Sequence, residues 1–277
     1  MKVIPIAADS LGVRSMATYV ETKACRIFID PGAALGPSRY GLPPTKEEWH
    51  ALEQAQKDIC KFADKSDILI ISHYHYDHHD PDASFYNGKT VFAKEILKNI
   101  NRSQNERGKY FETQVKDSCK LIYCDRQEFE FGNTKIKFSE PFYHGVDNTK
   151  LGFVLITTIE EDKKFLHASD VQGPVSKRAC DYVIKERPDM LMLDGPPTLF
   201  LGWKFSYKNL AEAIENLLEI IRKLNCEIIL DHHLLRDLKY RELLCEVYNK
   251  GNVKSSAEYL GKPINMLEAH RKELWRK

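Results

Sequence analysis

Four histidines and two aspartates occupy the eight positions from His73 to Asp80, within the stretch "ISHYHYDHHD". They follow directly on the apolar run "DILII". Gathering imidazoles and carboxylates at the edge of a core is costly unless something repays their desolvation. A metal ion would repay it. In the pattern H-x-H-x-D-H, His73 and His75 are two residues apart, so in an extended segment they point the same way. Two imidazoles and a third from elsewhere leave a fourth position open, which is a catalytic zinc arrangement rather than a closed structural one. Asp77 and His78 lie just beyond and could serve a second ion. Asp170 could bridge both ions through its two carboxylate oxygens, and a last histidine would complete the second site. Mixed nitrogen and oxygen donors suit Zn, and also Fe or Mn. The expectation is therefore two divalent ions, zinc first among them. His50, His167 and His270 stand alone and are read as surface or hydrogen-bonded residues.

The elements around these residues explain how they could meet. "KVIPIAA", "SMATYVET" and "CRIFID" read as short strands separated by "DSLG" and "ETKA". "DPGAALGPSRYGLPP" is a Gly/Pro-rich loop. Thr45 and Glu48 form a capping box, and Trp49, Leu52, Ala55, Gln56 and Ile59 continue with a helical period. "DILIIS" reads as a strand covered on both faces. The segment from Phe92 to Lys116 reads as helix with a break near Asn101. "KLIYC", "FEF", "TKIKFSE", "GFVLITTIE" and "KKFLHAS" read as strands, and "MLMLD" and "CEIIL" as two more buried ones. Between these last two, Ser206 can cap a helix whose apolar face is Leu210, Ile214, Leu217, Leu218 and Ile221. The tail from Arg236 to Lys277 reads as mostly helical.

On this map an imidazole or carboxylate appears wherever a buried strand ends. The cluster from His73 follows "DILII", His144 follows "FSEPFY", Asp170 follows "FLHAS", Asp194 ends "MLMLD", and His232 and His233 follow "IILD". Seven of the ten histidines lie at such ends, and ends of neighbouring strands converge on one edge of a sheet, where sites are commonly built. Strands in both halves, with helices between buried ones, suit two sheets packed face to face with helices outside. No repeat and no linker divides the chain, so residues 1–277 are expected to form a single domain.

The chain resembles the metallo-β-lactamase superfamily, whose hallmark is H-x-H-x-D-H after a strand, and within it a largely archaeal branch without an assigned substrate. Nearly the whole chain takes part, from "SLGVRSMATYVETKACRIFIDPG" to "IILDHHLLRD". The resemblance implies an α/β fold, an αββα four-layer sandwich of two mixed sheets, with a two-metal site on one edge. It puts His144 of "YHGVDNTKLGFVL" in the place of the third ligand and Asp170 of "LHASD" in that of the bridging carboxylate. The metal ligands it implies are His73, His75, Asp77, His78, His144, Asp170 and, from "ILDHH", His232. Where that segment usually carries one histidine, this chain has two. A strand running straight into the site would point His232 and His233 in roughly opposite directions, which leaves His233 to serve substrate. Asp30 of "IDPG" is expected to hold the ligand loop by hydrogen bonds, Asp194 to open a stiff "DGPP" turn, and His79 and Asp80 to support the ligands or face solvent.

Two ions can acidify one water and polarise the bond being broken, so no cysteine or serine nucleophile is needed. The expected function is hydrolysis of a small cytoplasmic molecule, with Asp77, Asp170 and His233 as the catalytic residues. A phosphodiesterase or nuclease is the alternative, and a di-iron redox protein a third. The arm of the tRNA-processing branch, the inserted domain of the large nucleases and the flavodoxin domain of the flavo-diiron branch have no counterpart here. The net charge of +1 supplies no global field for nucleic acid or acidic membranes, and the local basic stretches are read as solvated helix faces, so nucleic acid is left open without support. No apolar run approaches a membrane span, and the opening "MKVIPIAADSLG" turns too soon for a signal peptide; the expected location is the cytoplasm. The seven cysteines form no C-x-x-C pair and are read as idle thiols. The insert before the first ligand strand is longer than a connection needs. It is read as a packing loop, or as a pocket wall offering Arg39 and Tyr40 to substrate. Oligomeric state is not legible.

Overall fold

The computed structural model describes residues 1–276. In chain order it contains β1 (Lys2–Pro5), β2 (Thr18–Glu21), β3 (Arg26–Ile29), α1 (Lys46–Lys65), β4 (Ile68–Ile71), β5 (Thr90–Ala93), α2 (Arg102–Val115) and β6 (Lys120–Tyr123). There follow β7 (Glu128–Phe131), β8 (Thr134–Phe138), β9 (Phe142–Tyr143), β10 (Phe153–Val154), β11 (Thr157–Glu160), β12 (Lys164–His167), α3 (Lys177–Glu186), β13 (Met190–Asp194), α4 (Tyr207–Lys223), β14 (Glu227–Asp231) and β15 (Val253–Lys254). Six strands form one sheet in the order β1-β2-β3-β4-β5-β6, and seven form the other in the order β15-β14-β13-β12-β11-β8-β7. Both are mixed: β3 to β6 are parallel, as are β12 to β15, while the remaining pairs are antiparallel.

The layering can be read from single strands. All four residues of β4 are buried. Leu69 and Ile71 face α1 and α2 through Leu52, Ile59 and Phe111. Ile68 and Ile70 alternate with them and meet Phe138, Phe165, Met192 and Ile229 of the opposite sheet. In β14, Ile228 and Leu230 pack under α3 and α4 while Ile229 joins the inter-sheet core. The result is helix, sheet, sheet, helix. Both caps expected from the sequence form: Thr45 and Glu48 make the capping box of α1, and the Ser206 hydroxyl accepts from the Asn209 amide at the start of α4.

Three segments differ from the sequence reading. Phe92 belongs to β5 rather than to a helix, because "TVFA" is a buried strand between two parallel neighbours. The break near Asn101 is the true helix start, where its side chain accepts from the Gln104 amide. "GFVLITTIE" is two strands, β10 pairing with β9 and β11 with β8 and β12. The tail holds β15 and only short helical turns, the last of them Arg271–Leu274; Lys277, which the helical reading included, lies outside the described residues. No helix among the described residues is long and apolar enough to cross a membrane.

Candidate metal centre

The parallel strands of both sheets deliver their C-terminal ends to one edge. Asp30 follows β3, His73 to His78 follow β4, His144 follows β9, Asp170 follows β12, Asp194 ends β13, and His232 and His233 follow β14. Of the histidines and aspartates among these, all but Asp77, His75 and His233 are essentially enclosed. Two groupings stand out. His73, His75, His144 and Asp170 bring one ligating atom each to within 4.8 Å of one another, and so do Asp77, His78 and His232. Asp170 joins the two, with Oδ2 at 2.9 Å from His144 Nε2 and Oδ1 at 3.2 Å from His78 Nε2. His232 Nε2 stands 3.6 Å from both Asp77 Oδ2 and Asp170 Oδ2.

What makes this a site rather than a polar knot is what is left unbonded. His78 Nε2, His144 Nε2 and Asp170 Oδ1 are buried and form no aligned hydrogen bond, although they are in near contact. An unsatisfied buried polar atom costs about 1–3 kcal/mol. Three of them aimed at one another fit a divalent ion, whose coordination would satisfy them together, and the donor set is of the right kind for zinc, iron or manganese.

In His73, His78, His232 and His233 the opposite ring nitrogen is tied down, which aims the free one, whereas His144 Nδ1 has no partner among the described residues. His78 Nδ1 donates to Asp30 Oδ2 at 2.9 Å, His232 Nδ1 to Asp9 Oδ2 at 2.7 Å, and His233 Nδ1 to Asp194 Oδ2 at 2.7 Å. The Ser72 hydroxyl sits 3.0 Å from His73 Nδ1 and donates to Asp30. Carboxylates behind metal-binding histidines orient the ring and raise its basicity. Asp30 also accepts from the Ser72 amide, so it does hold the loop. Asp194 does more than open a turn, since it also accepts from the Gln172 amide. Gly32 lets the "IDPG" loop pass against the His78–His79 backbone: a Cβ there would lie 2.2 Å from the His79 nitrogen.

Four non-glycine residues with left-handed backbone surround the centre: Asp30 (φ 51°), Ser169 (φ 55°), Gln172 (φ 56°) and His232 (φ 55°). Such strain persists only where the surroundings over-determine it. At His232 it decides the doubled histidine. The chain leaves β14 at Asp231 and turns at once, so the two rings lie 4.4 Å apart and both face Asp170. The expectation that they point in opposite directions fails because the strand has already ended. His233 Nε2 lies 3.9 Å from Asp170 Oδ2 on the cleft side.

Charge follows the same logic. Burial and the neighbouring rings hold His73 far below the usual imidazole range, and burial with His144 brings His75 down to about 3. Both are neutral, the form that binds metal. Burial alone would lower His232, but the carboxylates of Asp170 and Asp9 raise it to about 9 against the pull of Arg236. The enclosed carboxylates thus draw positive charge to the centre.

The centre opens into a cleft of about 620 Å³ that reaches His75, Asp77, His144, Asp170 and His233. Arg39 and Tyr40 are not part of it. The Arg39 guanidinium donates to the Arg236 carbonyl and the Tyr40 hydroxyl to the Ala269 carbonyl, so the insert is a packing loop. His79 is buried with Nδ1 donating to the His75 carbonyl, and Asp80 is exposed. His167 is buried at 3.1 Å from the Met16 carbonyl, while His50 and His270 are exposed. The sequence reading missed Asp9 and Arg236. Asp9 follows the apolar "VIPIAA", so the strand-end rule used elsewhere would have flagged it.

No family model matches the chain. Among solved structures, it is similar to the isothiocyanate hydrolase from Delia radicum gut bacteria (TM-score 0.56, 14% identity, 92% of this chain and 97% of that one). It is also similar to Zn-bound PqqB from Methylobacterium extorquens (TM-score 0.53, 10% identity, 92% and 98%). These likenesses show the fold alone, and it is the metallo-β-lactamase fold. Relatives in sequence are closer. The UPF0282 protein of Korarchaeum cryptofilum is 44% identical over 99% of this chain and 94% of its own length. That of Methanocaldococcus jannaschii is 47% identical over 99% and 96%. By this measure the chain belongs to the UPF0282 family.

Proposed function

We propose that the protein is a binuclear metal-dependent hydrolase of a small substrate. The observation that carries this reading is that the unbonded His78 Nε2, His144 Nε2 and Asp170 Oδ1 lie together at a cleft whose wall includes His144 and Asp170. A hydrolase and a zinc-bound protein share the fold, which agrees with it. His73, His75 and His144 would hold one ion and Asp77, His78 and His232 the other, with Asp170 between them. Bound there, two ions would supply an acidified water and a Lewis acid for the bond being broken. His233 has its own part. With Nδ1 tied to Asp194, only Nε2 can carry a proton to a leaving group in the cleft, or hydrogen-bond to it.

Two tests bear on this. Zinc-loaded protein assayed on ester, thioester, lactone and phosphodiester reporters should turn over at least one carbonyl reporter; turnover of phosphodiesters alone selects the phosphodiesterase, and no turnover of any opposes the hydrolase. Bound iron with a visible charge-transfer band would favour the redox reading instead. Zinc titration of His232→Ala should show loss of one ion, while His233→Ala keeps both and slows turnover. If His233→Ala loses the second ion and His232→Ala keeps it, the two roles are reversed.

A further inference from the structure

Arg236 is buried to 4% exposure yet lines the cleft. Its Nε donates to Asp9 Oδ1 at 2.7 Å, and Nη2 lies 3.2 Å from the His232 ring nitrogens and 3.7 Å from Asp77 Oδ2. Its Nη1 makes no hydrogen bond among the described residues. Arg14, in the same cleft wall, repeats the arrangement: Nε and Nη2 donate to the two oxygens of Glu268 at 2.6 Å each, and Nη1 has no protein acceptor among the described residues. Each guanidinium is fixed on one edge by a carboxylate and leaves donors free on the other.

A purely structural arginine in this chain looks different. Arg271, also buried, engages Nε, Nη1 and Nη2 with Glu48 and the Leu42 and Gly36 carbonyls. A planar fork with free donors suits the paired oxygens of a phosphate, phosphonate or carboxylate. Other parts of the cleft wall are apolar, built from Leu151, Pro197 and Phe200. We propose that Arg236 and Arg14 form a fixed corner of free guanidinium donors that binds an oxyanionic group of the substrate close to the bond being cut, while its apolar part lies along Phe200. This rests on the hydrolase reading for the word substrate, but anion binding can be measured without turnover.

The probes are phenylphosphonate, benzoate and the neutral benzamide, titrated calorimetrically into zinc-loaded and chelator-stripped protein, with metal content measured on the same samples. At least one anion should bind about tenfold or more tightly than benzamide, as charge-assisted hydrogen bonds imply. R236Q and R14Q should each remove most of that advantage, and R236K should keep part of it. The ratio of phosphonate to benzoate affinity identifies the oxyanion. Because R236Q also disturbs Asp9, R14Q, which touches no candidate ligand, carries the test should R236Q fold poorly. Anions binding no better than benzamide in both states, or R14Q and a folded R236Q binding them as wild type does, would overturn the proposal. Failure to take up metal would count against the hydrolase instead, and the stripped-protein arm would still decide this point.

Discussion

Two regions of the molecule bury charge, and they do it in opposite ways. Where the C-terminal segment crosses the start of α1, Arg271 and Glu48 are both fully enclosed. Glu48 accepts from Arg271 and, as the last member of the capping box, from the Thr45 amide and hydroxyl. Nothing there is left over. At the metal centre, His78, His144 and Asp170 are as deeply buried but keep atoms with no partner, and the backbone around them is strained. A chain that can saturate one buried charge so fully has not left the other open for want of donors. Saturated charge builds the fold, and unsaturated charge waits for a ligand.

Changes in the two regions should therefore separate stability from function. The largest effect is expected from Arg271→Met, which strands Glu48 as an unpaired buried charge. It should cost about 3–5 kcal/mol of stability, read by chemical denaturation, while metal content of the folded protein stays at the wild-type level. A loss of metal without loss of stability would erase the distinction. Asp170→Asn should do the reverse. An amide cannot supply a negative bridge, so turnover should fall on the order of 10²-fold or more with the fold intact. Unchanged turnover with both ions retained would remove Asp170 from the bridging place. A smaller effect is expected from Asp9→Asn, which loosens the orientation of His232 without removing a ligand. The second ion should bind about 10–100-fold more weakly and the first as before, by zinc titration; wild-type affinity for both would show that the Asp9 contact is idle.

The contrast also explains what was legible in the sequence. The cluster from His73 to His78 is compact, so its spacing alone announced a candidate metal centre, and the apolar runs announced the strands that position it. His144, Asp170 and His232 lie far apart in the chain and became readable through strand ends and the family resemblance. Asp9 ends an apolar run and could have been flagged as a strand-end carboxylate, but its partnership with His232 and Arg236 was not readable: Asp9 and Arg236 act on His232 from 223 residues upstream and four residues downstream respectively, and only the fold brings them together. Arg271 escaped for the same reason. Its partner Glu48 was seen only in its local capping role. The geometry of the doubled histidine was misjudged because sequence does not reveal that β14 stops at Asp231. Phe92 was misjudged because a short apolar run flanking a helix has no period of its own.

The central claim is that the open charge cluster holds two divalent ions. Chelator-stripped protein reloaded with excess zinc, freed of unbound metal and submitted to elemental analysis, tests it most directly. The account predicts about two ions per chain. One ion per chain would contradict the binuclear centre, and none above background would contradict the reading of the cluster as a metal site altogether.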